Sequence, residues 1–204
     1  MHAIRRVTLF FLLLNVGAIL FLNVSSIATQ KAMSAKLANV FAENNEVPLA
    51  QRIKKEHCEY DGALPDPECT PGAVFPRATR EEICTPGYSK SVRNVSVSLK
   101  KDVYKAYGVS YPQSFGSYEC DHHIPLALGG NNSIANLFPQ PADPYPGFRE
   151  KDVVEIFLHE EVCASRIDLI AAQRAIARNW VKIYNNLSRD TVDSIRSRYR
   201  NWSN

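Results

Sequence analysis

A turn built from two glycines and two asparagines, residues 129–132, is the feature that most constrains the fold of this chain. It separates two strand-like runs that are rich in apolar residues, 118–128 and 134–138. Glycine and asparagine adopt the backbone angles of tight turns with little strain, so this cluster between two such runs predicts a β-hairpin. The centre of the chain is therefore expected to be a short antiparallel pair of strands.

Helical patterns flank the hairpin on both sides. Thr79 followed by Glu82 has the spacing of a capping box and predicts a short helix over residues 79–83. Further helices are predicted over residues 30–56 (one helix, or a pair broken near Pro48), 98–107, 150–163, 168–185 and 190–202. Four prolines within 139–147 predict an irregular link. The sequence thus predicts an α+β fold whose N-terminal part is rich in loops.

The first 28 residues have the composition of an export signal. Arg5 and Arg6 precede an apolar run over residues 7–24, and small residues follow before Thr29. This order predicts a secretory signal peptide, and hence a secreted or periplasmic protein. The alternative is a retained membrane anchor, because the apolar run is close to the length that spans a bilayer. A membrane is an expected partner only in that second case.

Removal of the signal would leave a nearly neutral protein. The whole chain has 24 basic and 21 acidic residues, and two of the basic ones lie in the signal. A balance so close to zero excludes binding of nucleic acid by bulk charge alone. Basic residues are nevertheless concentrated in residues 77–105 and 164–204, on either side of the hairpin. Two interpretations stay open, a groove for a phosphate backbone and a solvated surface of uneven charge.

Five cysteines follow the signal, namely Cys58, Cys69, Cys84, Cys120 and Cys163. In an oxidising compartment they predict disulfides, and the odd count leaves one thiol over. The sequence leaves the pairing open, and we favour a bridge between Cys69 and Cys84. None of the spacings is Cys-x2-Cys, which argues against a zinc ribbon.

The run Tyr-Glu-Cys-Asp-His-His-Ile-Pro-Leu over residues 118–126 is followed by Gly129-Gly130 and by Asn136-Leu137. Together these residues resemble the HNH endonuclease family. That family has an Asp-His pair on the first strand of a hairpin, a glycine-rich turn and an asparagine on the second strand. A following helix completes its ββα-metal finger, so the resemblance implies the same arrangement in this chain.

The resemblance also implies a role for each of these side chains. His122 matches the general base, since a histidine with a near-neutral pKa can take a proton from water. Asp121 matches a ligand of a divalent metal ion, which would hold the scissile phosphate. Mg²⁺ is the expected ion, with Mn²⁺, Zn²⁺ and Ni²⁺ as alternatives. Asn136 matches the middle asparagine, whose side chain ties the hairpin together and orients the base.

The helix after the hairpin should complete the metal site, but the proline-rich link shifts the family's spacing there. Asp152, Glu155 and His159 lie on one face of this helix. Asp152 is the first choice as a ligand and His159 the second, with a solvated helix face as the alternative. His123 departs from the family, which has an apolar residue there. Strand alternation turns it away from His122, which predicts packing or a substrate contact.

Basic residues ahead of the hairpin are candidates for contacts to a phosphate backbone: Lys90, Arg93 and Lys100. Such contacts position a strand without reading its bases, so low sequence specificity is expected. The expected substrate is DNA, with RNA as the alternative. The sequence predicts no particular oligomeric state.

Three segments are expected along the chain: a signal or anchor (1–28), a helical spacer (29–68) and an HNH domain (69–204) with its core at 118–163. From Cys69 onwards the chain is similar to secreted bacterial proteins that carry such a domain. The predicted function is that of an exported, metal-dependent endonuclease. Two other classes stay open, a non-catalytic extracellular binding or adhesion module that retains the fold, and a toxin-like nuclease effector.

Overall fold

The computed structural model of the chain describes residues 37–41 and 49–199. The chain divides into two compact units, Met1–Asn39 and Val40–Asn204. Residues 37–39 are the described part of the first unit, and they are helical. The predicted signal, residues 1–28, lies outside the described residues. Within the described ranges, no helix is both long enough and apolar enough to cross a membrane.

The larger unit is a mixed α+β structure, with a two-stranded antiparallel sheet among several helices. In chain order its elements are α1 (Arg80–Ile83), α2 (Tyr88–Val92), α3 (Val97–Ala106), β1 (Tyr118–His122), β2 (Leu137–Pro141), α4 (Phe148–Cys163), α5 (Leu169–Asn186) and α6 (Arg189–Arg198). The predicted fold class is confirmed at this level. The helix predicted over 30–56 does not extend through residues 49–56, which are not helical.

The hairpin is shorter than the sequence predicted. β1 ends at His122, which pairs with Leu137, and Asp121 pairs with Phe138. Beyond His122 the chain turns through Pro125, which has no N–H for a ladder, into a 3₁₀ turn at Leu126–Leu128. A second 3₁₀ turn, Ile134–Asn136, occupies the first part of the run predicted as the returning strand. The strand itself continues into the proline-rich link, to Pro141.

The two glycines of the turn are needed for different reasons. Gly129 has a φ of +76°, in the left-handed region that other residues rarely adopt. At Gly130 a Cβ would lie 1.8 Å from the carbonyl oxygen of Ile124 and 2.9 Å from Asn136 Nδ2. A side chain at Gly130 would therefore separate the two segments that the Asn136 amide joins.

Two helices hold the hairpin. The side chains of Tyr118 and Cys120 on β1 pack with Val103 and Tyr104 of α3. Successive residues of a strand point to opposite faces, so Glu119 and Asp121 share the other face. On that side α4 packs against β1. The hairpin thus presents its acidic residues to α4 and its apolar ones to α3.

Several helix ends follow the sequence signals. Thr79 caps α1, and its hydroxyl and the Glu82 carboxylate form both bonds of the predicted capping box. The predicted helix over 98–107 is observed one residue earlier, capped by the Ser96 hydroxyl. In α5 the backbone departs from helical angles at Asn179 (φ −166°), whose carboxamide oxygen accepts the Lys182 N–H and restarts the helix.

Two disulfides connect the larger unit, Cys58–Cys69 and Cys84–Cys163. The bridge favoured from the sequence, Cys69–Cys84, is therefore wrong. Both members of the first pair lie in a buried cluster with Phe138, whereas Cys84 ends α1 beside the end of α4. Cys120 keeps a free thiol, as expected from the odd count. Two bridges fit a protein of an oxidising compartment.

Candidate active site

Asp121 stands at the end of β1 with both carboxylate oxygens engaged. Its Oδ1 accepts the backbone N–H of His122 at 2.7 Å. Its Oδ2 accepts a hydrogen bond from Lys151 Nζ, also at 2.7 Å. Because each carboxylate oxygen has two acceptor positions, the group keeps capacity for a further ligand. Its side chain is only 19% exposed, so these bonds act where water screens them weakly.

Lys151 on α4 is wholly buried, which is unusual for a lysine. Its three N–H groups are satisfied by Asp121 Oδ2, by the carbonyl oxygen of His122 at 2.7 Å, and by Glu155 Oε1. Burial lowers the pKa of this ammonium, but the charges of Asp121 and Glu155 outweigh burial and raise the pKa overall. Lys151 is thus a permanent internal cation at the site, a role that its sequence context does not indicate.

Further carboxylates surround this ammonium. Burial, followed by the charge of Glu155, raises the pKa of Asp152. Burial also raises the pKa of Glu155, against the lowering effect of Lys151, and that of Glu119 is raised by burial and by Asp121. Four acidic groups therefore share the charge of one buried lysine. Among the described residues, no donor is hydrogen-bonded to the Asp152 carboxylate, so a cation could approach it.

His122 is buried, and its imidazole Nε2 lies 3.1 Å from Asn132 Oδ1. Asn132 Oδ1 also accepts the Asn94 N–H, and its Nδ2 donates to Val92 O. The carboxamide oxygen therefore faces the imidazole, so Nε2 carries the proton and Nδ1 keeps its lone pair. Burial, opposed by the charge of Asp121, lowers the pKa of His122 to about 4. The imidazole is hence neutral at neutral pH and able to accept a proton at Nδ1.

Asn132 also brings the basic segment before α3 to the site. Its bonds to Val92 and Asn94 hold the residues on either side of Arg93. The positive charge of Arg93 accordingly acts to lower the pKa values of His122, Glu119 and Glu155. The sequence indicates only a turn residue at Asn132, because its contact with His122 exists only in the folded turn.

Asn136 is fully buried and crosses the turn as the resemblance implied. Its Oδ1 accepts the Ile124 N–H at 2.9 Å, and its Nδ2 donates to Ile124 O and to Asn131 O, each at 2.9 Å. Its backbone oxygen accepts the His123 N–H at 2.7 Å. This one residue fixes the chain on both sides of the turn directly after His122.

His123 points away from His122, as strand alternation predicted. It is buried, its Nε2 lies 2.8 Å from the carbonyl oxygen of Ala177, and its ring packs edge-on against Phe138. Ala177 lies just before the break in α5, where carbonyls lose their helical donors. The geometry assigns His123 to packing between the hairpin and α5.

The remaining predicted residues lie in different places. His159 is beside the second disulfide, with Nε2 3.1 Å from Ile83 O and 3.5 Å from Cys163 Sγ. It forms no hydrogen bond with Asp121 or Asp152. Arg93 and Lys90 are exposed, and Lys100 is half-buried on α3, where its charge reaches Cys120.

The acid cluster suits a hard divalent cation in its chemistry. Carboxylate oxygens are the ligands that Mg²⁺ and Mn²⁺ prefer. Gln140 pairs across the sheet with Glu119, and both polar atoms of its buried side chain lack partners among the described residues. The described residues do not, however, bring three ligand atoms of Asp121, Asp152 and Glu155 within 4.8 Å of one another. The two groups that meet this distance each contain a disulfide, and neither includes Asp121.

Comparison of the chain with protein-family models, with curated proteins and with solved structures finds no match in any of the three.

Proposed function

We propose that this chain is an exported, divalent-metal-dependent nuclease that hydrolyses phosphodiester bonds of DNA, with RNA as the alternative substrate. In this proposal residues 118–163 form the ββα-metal finger of an HNH endonuclease. The supporting observation is the position of two adjacent side chains at the end of β1. Asp121 faces the carboxylates of α4, while His122 has one ring nitrogen fixed by Asn132 and the other left with a lone pair.

His122 is the general base of the proposed reaction. Its burial keeps the imidazole neutral, and Asn132 directs the proton to Nε2, so Nδ1 takes the proton from the attacking water. With a pKa near 4, the buried imidazole of His122 is a weak base. The negative charge of nearby Asp121 opposes the effect of burial and favours the protonated imidazole. Asn136 holds the turn that follows and so keeps the ring in place.

Asp121 and Asp152 would hold the metal ion, with Glu155 and Lys151 completing the charge around them. When bound, a divalent ion polarises the scissile phosphate and stabilises the leaving oxygen. Lys151 fixes the orientation of the Asp121 carboxylate through its hydrogen bond to Oδ2. His159 has no place in this arrangement, because it is engaged at Ile83 and beside the second disulfide.

Substrate binding is assigned to the basic residues near the hairpin. Arg93 is exposed and its charge reaches His122, which suits a contact to the phosphate next to the scissile bond. Lys100 lies on α3 beside β1. Neither residue is placed to read base edges through a recognition helix, so we expect little sequence preference.

The test is cleavage of a supercoiled plasmid by the exported protein with Mg²⁺ or Mn²⁺ and with EDTA. We expect cleavage that EDTA abolishes. His122→Ala should lower the rate roughly a hundred- to ten-thousandfold, the usual contribution of a general base, with metal binding retained. Asp121→Ala should lower Mn²⁺ affinity in calorimetry, and high Mn²⁺ should partly restore its rate.

The matched control is His123→Ala, because His123 is equally buried and adjacent in sequence. It should lower stability while leaving the rate per folded molecule close to that of the wild type. Loss of activity in His123→Ala with full activity in His122→Ala would mean that the wrong histidine was assigned. Absence of any cleavage by the wild type would favour the non-catalytic binding module instead.

A further inference from the structure

A groove of about 550 Å³ lies beside the proposed active site. Its walls come from α3, from the loop that joins α3 to β1, from β1 itself and from the first turn of α4. Of the residues assigned a role in the proposed function, the groove contains Lys100 alone. The volume of the groove is in the range of sites that hold small ligands. A groove of this size is too small for a duplex to enter.

Aromatic rings form one side of this groove. Tyr104 packs against Tyr111 edge to face, with ring centroids 5.1 Å apart, and against Tyr118 at 6.4 Å. Phe115 lies at the rim with its ring fully exposed to solvent. Phe115 and the tyrosines thus line one groove, and the exposed ring of Phe115 is free to stack against a bound ligand. Hydrogen bonds of Ser117 to Ser114 O fix the backbone just after this ring.

Two cations line the same groove. Arg149 is exposed, and its guanidinium carbon lies 4.5 Å from the centroid of the Phe148 ring. One of its terminal nitrogens is close to Gly116, where an added Cβ would come within 3.4 Å of it. Lys100 contributes a second cation to the lining. Aromatic faces and cations around one groove match the chemistry of unpaired nucleotides, which offer flat bases and phosphates.

The groove adjoins the acid cluster at Glu119. Glu119 and Cys120 form part of its lining, and they directly precede Asp121 and His122 on β1. The charges of Asp121 and Arg149 both act on Glu119, which shows that the two regions are close. A strand lying in the groove would therefore lie close to the proposed site of cleavage.

We propose that this groove binds unpaired nucleotides of the substrate strand, with bases stacked on Tyr111 and Phe115 and phosphates neutralised by Lys100 and Arg149. The inference rests on the proposed nuclease function and adds a substrate class, single-stranded nucleic acid. In this proposal the bases are held by stacking on aromatic rings. Stacking tolerates any base, which agrees with low sequence specificity.

The test measures binding separately from cleavage. A fluorescent oligothymidylate and a duplex of the same length are titrated, in EDTA, with full-length exported protein carrying His122→Ala. We expect the oligothymidylate to bind more tightly than the duplex. Phe115→Ala and Tyr111→Ala should each weaken oligothymidylate binding roughly ten- to a hundredfold and change duplex binding little. Arg149→Gln should flatten the dependence of log affinity on log salt by roughly one unit.

Tyr145→Ala is the matched control, since Tyr145 is an exposed aromatic residue outside the groove; its substitution should leave oligothymidylate binding unchanged. Wild-type protein that cuts plasmid, combined with oligothymidylate binding unaffected by Phe115→Ala, overturns the groove and leaves the nuclease. Wild-type protein that cuts nothing, combined with binding that Phe115→Ala abolishes, overturns the nuclease and leaves a single-strand binding groove. Tighter binding of the duplex, or equal losses in Tyr145→Ala, overturns the groove as well.

Discussion

Lys151 Nζ lies 2.7 Å from Asp121 Oδ2 although the lysine side chain has no exposed surface. The ammonium joins α4 to the end of β1, because the same nitrogen also bonds the carbonyl of His122. A charge removed from water in this way is stable only while its partners remain ionised and in contact. The relation between these two residues therefore supports both the position of the helix and the charge state of the site.

Lys151→Met should leave Asp121 and Glu155 as buried carboxylates without their common partner. Removal of one member of a buried ion pair costs about 3–5 kcal/mol in unfolding free energy, and we expect a loss of that size in urea denaturation with EDTA present. The double variant Lys151→Met, Glu155→Met should recover part of the loss, because it leaves one unpaired carboxylate in place of two. Lys101→Met, at an exposed position on α3, is the control and should change stability little. Equal stability of Lys151→Met and Lys101→Met would contradict the buried ion pair.

Asn132→Leu should lower the cleavage rate while leaving Mn²⁺ affinity unchanged. The carboxamide oxygen selects the tautomer of His122 that keeps the lone pair on Nδ1, so its removal takes away the ordered base and leaves the carboxylates as they are. We expect a rate loss smaller than that of His122→Ala, measured as nicking of plasmid alongside calorimetry with Mn²⁺. Ser133→Ala, at the exposed next position, should behave as wild type. A parallel loss of metal affinity in Asn132→Leu would show that the residue supports the whole site and not the base.

The metal-free protein should lose stability as the pH rises from 7 to 8. Burial and the charge of Glu155 raise the pKa of Asp152 to about 8, so over this interval the folded protein binds more protons than the unfolded chain. The unfolding free energy then falls with pH, by at most about 1.4 kcal/mol per pH unit for one proton. His122 and His123, whose pKa values burial lowers, act in the opposite direction, but only below about pH 6.5.

This pH dependence can be measured by urea denaturation in EDTA at pH 7.0, 7.5 and 8.0. Asp152→Asn should reduce the slope, because the amide does not titrate; the part that remains near pH 7 belongs to Glu155, whose pKa burial raises to about 7. Saturating Mg²⁺ should flatten it too, since a bound cation favours the ionised carboxylates. A wild-type slope of zero or of opposite sign, or an unchanged slope in Asp152→Asn, would show that Asp152 does not hold this proton.

Those features that depend on a local signal could be predicted from the sequence. The capping box of Thr79 and Glu82, the hairpin turn at Gly129-Gly130 and the opposite directions of His122 and His123 all follow from neighbouring residues. The ends of the two strands were predicted less accurately. Pro125 removes a ladder donor, and the residues around it form 3₁₀ turns in place of the continuous strands expected.

Features set by distant contacts could not be predicted in this way. The sequence around Lys151 indicates an ordinary lysine in a helix. Its burial follows from the packing of α4 on β1. Asn132 reads as a turn residue, and its contact with His122 requires the segment of Val92 and Asn94 to fold back over it. The Cys84–Cys163 disulfide also depends on distant contacts, because Cys84 meets Cys163 only when α1 packs against α4.

The two disulfides should contribute unequally to stability. Cys84–Cys163 joins residues 79 positions apart and Cys58–Cys69 residues 11 positions apart, so the first restricts the unfolded chain more strongly. The chain-entropy relation gives about 4–5 kcal/mol for the longer loop and about 3 kcal/mol for the shorter one. The double variant Cys84→Ala, Cys163→Ala should therefore lower the urea midpoint more than the double variant Cys58→Ala, Cys69→Ala.

Both double variants are best compared in a Cys120→Ala background, which removes the free thiol and prevents exchange. Peptide mapping without reduction checks the pairing itself, and a peptide joined through Cys69 and Cys84 would contradict it. A larger loss on removal of the short bridge would mean that packing around Cys58 and Cys69, and not loop closure, dominates.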